Sequence, residues 1–132
     1  MEHYPIEQAI IVPSTKGKSQ RKISKAEFKK RVNNVRRFMA KRYGGFTDTQ
    51  ETGGYVMKNG KLVKEKVMRV NTFAKKKDYS KNKTDLMNQI KRWRKNWGQE
   101  SIGYEKEGDF YTIECDKKVK RIKKVMNKRR KK

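Results

Sequence analysis

Gly54-Tyr55-Val56-Met57-Lys58-Asn59-Gly60-Lys61-Leu62-Val63 is the stretch on which the fold turns. Two β-prone runs, residues 54–58 and 61–73, meet at Asn59-Gly60, a pair that tolerates the positive φ angles of a type I′ hairpin turn. In the second run Met68, Val70, Thr72 and Ala74 alternate with Val67, Arg69, Asn71 and Phe73, and the first set reads as the core face.

Helical patterns flank this hairpin on both sides. Upstream, Ser24 and Glu27 form a capping box, and Phe28, Val32, Val35 and Met39 then recur at helical spacing until Gly44-Gly45. Lys29, Lys30, Arg36, Arg37 and Lys41 fall outside that apolar stripe. Downstream, a polar stretch over residues 75–83 leads into Leu86, Ile90, Trp93 and Trp97, with Lys91, Arg92, Arg94 and Lys95 on the remaining surface and Gly98 as the stop. The chain opens with a strand from Ile6 to Val12, halted by Pro13 and followed by a polar loop over residues 14–22. It closes with residues 102–105 and 109–115 around Gly108, a last strand or hairpin. The order β-α-β-β-α-β predicts a ferredoxin-like α+β fold, an antiparallel sheet with two helices on one face and the other face open.

With 132 residues and 33% hydrophobic content, the chain supports one modest core. The expected organisation is an N-terminal extension over 1–8, the α+β domain over 9–116 and a basic tail over 117–132. The tail holds eleven Lys or Arg and no acid, and the net charge of the whole chain is +24. Val119, Ile122 and Met126 give the tail one narrow apolar stripe at helical spacing. With Cys115 the only cysteine and His3 the only histidine, zinc-ligand spacings and Cys/His nucleophile pairs have no raw material, and no cofactor or metal is expected. Lacking any apolar stretch of membrane-spanning length or secretory-signal core, the sequence reads as cytoplasmic.

Potential chemistry is sparse. Gly17-Lys18-Ser19 matches the end of a Walker loop, but Val12 stands where its first glycine belongs, so a flexible basic loop is the better reading. Asp48, Glu51, Glu100 and Asp109 have no spacing that demands a shared metal. Ser14, Thr47, Gln99 and Ser101 offer polar groups without an identifiable activating base. Tyr55, Phe73, Tyr104 and Phe110 are strand aromatics that an open sheet could use for stacking, although residues 66–73 lack the glycine and paired aromatics of the RNA-recognition motif.

Val12-Pro13-Ser14, Tyr43-Gly44-Gly45-Phe46-Thr47, Gly53-Gly54-Tyr55-Val56 with Asn59-Gly60-Lys61-Leu62-Val63, and Gly98-Gln99-Glu100-Ser101 together resemble a family of small uncharacterised proteins of bacterial, archaeal and mobile-element genomes. The resemblance covers Ile10 to Glu114. It implies a small α+β fold and assigns no chemistry, and it treats the high charge as an addition to the scaffold.

Charge therefore dominates the functional expectation, which is a non-enzymatic nucleic-acid-binding protein tracking phosphates. Its contacts would be Lys29, Lys30, Arg36, Arg37, Lys41, Lys91, Arg92, Arg94 and Lys95 on the helices, and Lys117, Lys118, Lys120, Arg121, Lys123, Lys124, Lys128, Arg129 and Arg130 in the tail. The partner would be RNA in a ribosome or other nucleoprotein assembly, or viral or plasmid DNA. The alternatives are a small enzyme acting on an anionic substrate through Thr47, Gln99 or Glu100, and an interaction protein for acidic surfaces.

Overall fold

The computed structural model describes residues 1–114, so the basic tail, its apolar stripe and its nine candidate contacts lie outside the described residues. The elements are β1 (Ile6–Pro13), β2 (Thr15–Lys16), β3 (Arg21–Lys22), α1 (Lys25–Tyr43), β4 (Thr47–Val56), β5 (Leu62–Ala74), α2 (Lys76–Asn96), β6 (Ser101–Lys106) and β7 (Asp109–Glu114). Five strands form one antiparallel sheet in the order β4-β5-β1-β6-β7, and β2 with β3 forms a separate short hairpin. Without β7, this is the ferredoxin-like strand order; β7 folds back on β6 and widens the sheet by one strand.

Both helices form where the apolar periodicity places them. The Glu27 N–H donates to Ser24 Oγ at 3.1 Å, closing one side of the capping box, and Gly44 ends α1 in the left-handed region with its N–H on Ala40 O. Val32, Val35 and Met39 are buried, as are Leu86, Ile90, Trp93 and Trp97. The indoles of Trp93 and Trp97 stack at 5.6 Å, and Phe38 meets Trp93 edge-on at 5.5 Å, joining the two helices. The second helix starts earlier than its apolar pattern, at Lys76, with Asp78 in its first turn facing the positive end of the helix dipole.

The register sorts the strand side chains cleanly. Ile10 pairs with Val70 and Tyr104, and these lie under the helices with Val12, Ala74 and Ile102. Met68, Val70, Thr72 and Ala74 thus form the core face of β5, as the alternation predicts. The β4–β5 turn differs from the expected type I′. Asn59 keeps a negative φ, Gly60 alone is left-handed at 85°, and the Gly60 N–H bonds Met57 O at 2.9 Å. The reason is local: Asn59 Oδ1 accepts the Lys61 N–H at 2.9 Å, which holds the asparagine in an Asx-type conformation and leaves the positive φ to the glycine.

Candidate active site

The face of the sheet away from the helices is acidic. Strand alternation and register place Glu7, Glu51, Glu65, Glu105 and Glu114 on it, and among the described strand residues the only cation sharing that face is Arg69. Its guanidinium sits between two of these acids, with Nε on Glu51 Oε1 at 2.9 Å and an NH donating to Glu105. Hydrogen bonding to Glu105 raises the Arg69 pKa above its ordinary value, and Glu51 acts in the same direction. In a chain of net charge +24, this face sets five carboxylates against one strand guanidinium.

A cleft of about 760 Å³ runs over this face, floored by Gly53 and Gly103 and flanked by Tyr55, Glu65, Arg69 and Phe110. Both glycines keep the floor low: a Cβ on Gly53 would touch Val67, and one on Gly103 would run into the Phe110 ring at 2.9 Å. A second hollow of about 410 Å³ shares Tyr55, Glu65, Gln99 and Ser101 with it and extends to Gly17, Lys18, Gln20 and Glu100. Here Glu65 is half-buried, and its Oε2 accepts the Ser14 N–H at 3.2 Å. The Ser14 hydroxyl is itself buried with no hydrogen-bond partner.

Two loops form the wall. The polar stretch after Pro13 is the β2–β3 hairpin rather than a flexible loop, and it is tied to the α2–β6 loop by the Gly17 N–H on Gly98 O at 3.1 Å. Gly98 has φ +63°, and a Cβ there would lie 3.3 Å from Gly17 N, so this approach requires glycine. Underneath lies Arg31, a buried cation of α1, donating to Pro13 O at 2.8 Å, Thr15 O at 2.9 Å and Trp97 O at 3.4 Å. Burial lowers its pKa, opposed by the fields of Glu27 and Glu65.

Three of the quoted segments, Val12-Pro13-Ser14, Gly53-Gly54-Tyr55-Val56 and Gly98-Gln99-Glu100-Ser101, therefore converge at one end of the open face, with Gly17 and Lys18 beside them. The fourth, containing Thr47, lies apart in a concavity of about 260 Å³ with Tyr4, Phe46 and Phe73. Asp48 faces the helices and pairs with Arg36, while Asp109 sits at the β6–β7 turn, so neither joins Glu51. Among the described residues no group of three or more His, Cys, Asp or Glu is placed to hold a metal. Of the stacking candidates, Tyr55, Phe73 and Phe110 are exposed; Tyr104 is buried under the helices with its hydroxyl donating to Gln8 Oε1 at 2.5 Å.

The helix cations have mixed fates. Lys29, Lys30, Arg37, Lys41, Arg92 and Lys95 are exposed and Lys91 is half-buried. Arg36 spans Asn33 and Asp48 and covers the Phe46 ring, and Arg94 donates to Gln99 O at 2.8 Å, bracing the α2–β6 loop. Sequence reasoning missed Arg31 and Glu65. Arg31 had a signal, since it is a charged residue falling between Phe28 and Val35 on the apolar stripe; Glu65, between Lys64 and Lys66, looks like ordinary strand surface.

No protein-family model matches the chain, and no curated protein is significantly similar to it. Two solved structures share its fold, a phage SAM (S-adenosylmethionine) lyase in complex with S-methyl-5'-thioadenosine and a phage SAM lyase in the apo state. They are 19% and 20% identical, with TM-scores of 0.58 and 0.54, and each match spans 88% of this chain and 96% of that chain. This finding overturns the expectation of a non-enzymatic nucleic-acid-binding protein, ribosome-associated or acting on viral or plasmid DNA: both of these solved structures are of an enzyme. The physical reason for the error is that net charge says nothing about where charges sit, and the open face is acidic. No described helix is long and apolar enough to cross a membrane.

Proposed function

We propose that this chain is an enzyme that binds S-adenosylmethionine in the open-face cleft and cleaves it as a lyase, releasing S-methyl-5'-thioadenosine. The observation that carries the reading is the coincidence of a lyase-like fold with an acidic cleft, since this substrate is a sulfonium cation. The small-enzyme alternative from the sequence is thus preferred, with a cationic rather than an anionic substrate and with Thr47 outside the site.

The chemistry asks little of the protein. The bond between sulfur and the amino-acid side chain breaks, its electron pair stays on sulfur, and a neutral thioether departs. The remaining fragment is completed by its own carboxylate closing on that carbon, or by loss of a neighbouring proton to a carboxylate of the cleft such as Glu65. In the closure route the carboxylate and sulfonium charges cancel as the C–O bond forms and the C–S bond breaks, so the protein holds the cation in line for attack; in the proton-loss route a fixed carboxylate of the cleft is the base. Glu65 is placed for this, held by the Ser14 N–H and lining both hollows. Tyr55 and Phe110 offer ring faces to the sulfonium or to a purine. Gln99 and Ser101 supply polar groups at the rim, and Lys18 is available to a substrate carboxylate.

The test is incubation of the purified chain with S-adenosylmethionine and detection of S-methyl-5'-thioadenosine by mass spectrometry. Turnover that falls about 100-fold in Glu65→Gln supports the assignment, a loss of the size typical for removing one electrostatic group from an active site. Absence of both turnover and binding by the unaltered chain overturns it.

A further inference from the structure

On the helix side of the molecule, a groove of about 560 Å³ separates the first half of α1 from the end of α2. Lys16 of β2, Lys30 and Arg31 of α1 and Arg92 of α2 line it, with Glu27 as its single acid. Trp93 and Trp97 form its apolar side, and the Arg31 guanidinium lies over the Trp97 ring at 5.3 Å.

The decisive feature is Arg31. It is only 5% exposed, yet its donors go to three neutral carbonyls and it enters none of the four ion pairs among the described residues. A buried guanidinium without a carboxylate partner is a costly arrangement, and an anion beside it would offset that cost. Lys16, Lys30 and Arg92 come from three different elements and flank the same groove, which an isolated solvated charge run would not produce.

We infer that this groove is a binding site for a small phosphate-bearing polyanion, held between Lys30, Arg92 and Lys16 with Arg31 at its base. The site differs from the acidic cleft in sign and in place: it opens on the helix side, and of the open-face carboxylates Glu65 acts on Arg31 at its base. The groove adjoins the second hollow of the open face through one wall, because Lys16 lines the groove and the adjacent Gly17 lines that hollow.

Inorganic pyrophosphate is the probe. The full chain is titrated at constant ionic strength while tryptophan emission is followed, because the chain's two tryptophans, Trp93 and Trp97, both border the groove. A saturable change with one site is expected, weakened at least tenfold in Lys30→Gln/Arg92→Gln. Lys77→Gln/Lys81→Gln removes the same charge from exposed positions in the first half of α2 and should leave the affinity within twofold. A response that fails to saturate, one that matching sodium chloride reproduces, or an equal loss in both double variants overturns the site. Melting curves of each variant establish that it is folded, and the single Lys30→Gln, expected to weaken binding about threefold, serves if the double variant does not fold.

Discussion

Arg31 and Gln99 donate to the same two carbonyl oxygens. Thr15 O accepts from Arg31 at 2.9 Å and from Gln99 Nε2 at 2.7 Å, and Trp97 O accepts from them at 3.4 Å and 3.0 Å. Each acceptor has two donors from different parts of the chain, so either side chain alone keeps both carbonyls paired. Single replacements should therefore understate the clamp. In a urea-denaturation double-mutant cycle, Arg31→Met with Gln99→Ala should lose at least about 1 kcal/mol more than the two single losses combined. Additive losses would show that the two donors act independently.

Arg69 is the counterweight on the open face, neutralising part of Glu51 and Glu105. Arg69→Gln frees both carboxylates, which should tighten binding of cationic S-adenosylmethionine several-fold while leaving neutral S-methyl-5'-thioadenosine little changed. Calorimetric titration with the two ligands reads the difference. Equal shifts for both would mean that charge on this face does not select the ligand.

Gly103→Ala forces the Phe110 ring off its seat, since the new Cβ would lie 2.9 Å from Phe110 Cζ and 3.2 Å from Ile11 Cγ1. The ring is 62% exposed and free to swing outward, so the expected destabilisation is about 1 kcal/mol, at the low end for overpacking. Phe110→Ala in the same chain should recover much of it. Thermal melts of the three variants decide the matter.

Burial raises the Tyr104 pKa, with smaller contributions from Tyr79 and Tyr43 in the same direction; burial also raises Tyr43. The phenols are neutral when protonated, so the folded state resists their ionisation while the unfolded state ionises near the ordinary tyrosine value of about 10. This contribution to stability is intact below that pH and is lost as pH climbs above it, at up to about 1.4 kcal/mol per pH unit per tyrosine. Tyr104→Phe should flatten the alkaline limb of a stability–pH curve by one proton's worth of slope. An unchanged slope would exclude Tyr104 as a source.

Much of the fold was legible because it rests on short-range patterns. The spacing of Phe28, Val32, Val35 and Met39, and that of Leu86, Ile90, Trp93 and Trp97, identified both helices and the faces they bury. The alternation around Val70 identified the core side of β5. Asn59-Gly60 located the hairpin but not its turn type, because the Asn59 side chain took the Lys61 N–H. The site was legible only as separate fragments. In the sequence Gln99 and Ser101 are polar groups without an identifiable activating base, and the closure of the site depends on pairings across the chain, such as Ser14 with Glu65 and Gly17 with Gly98, that no local pattern encodes. The helical spacing predicts Arg94 on the outer surface, whereas its guanidinium turns back onto Gln99 O.

The gathering of five carboxylates on one face of a +24 chain has a kinetic consequence. A cationic ligand approaching from far away meets a repulsive field from the whole molecule, and only within about a Debye length, ~10 Å at 0.1 M salt, does it feel the carboxylates of the cleft. Added salt screens the distant repulsion more than the close attraction. Capture of S-adenosylmethionine should thus accelerate as ionic strength rises from low values, opposite in sign to the salt dependence of a ligand steered to its site by the protein's net charge.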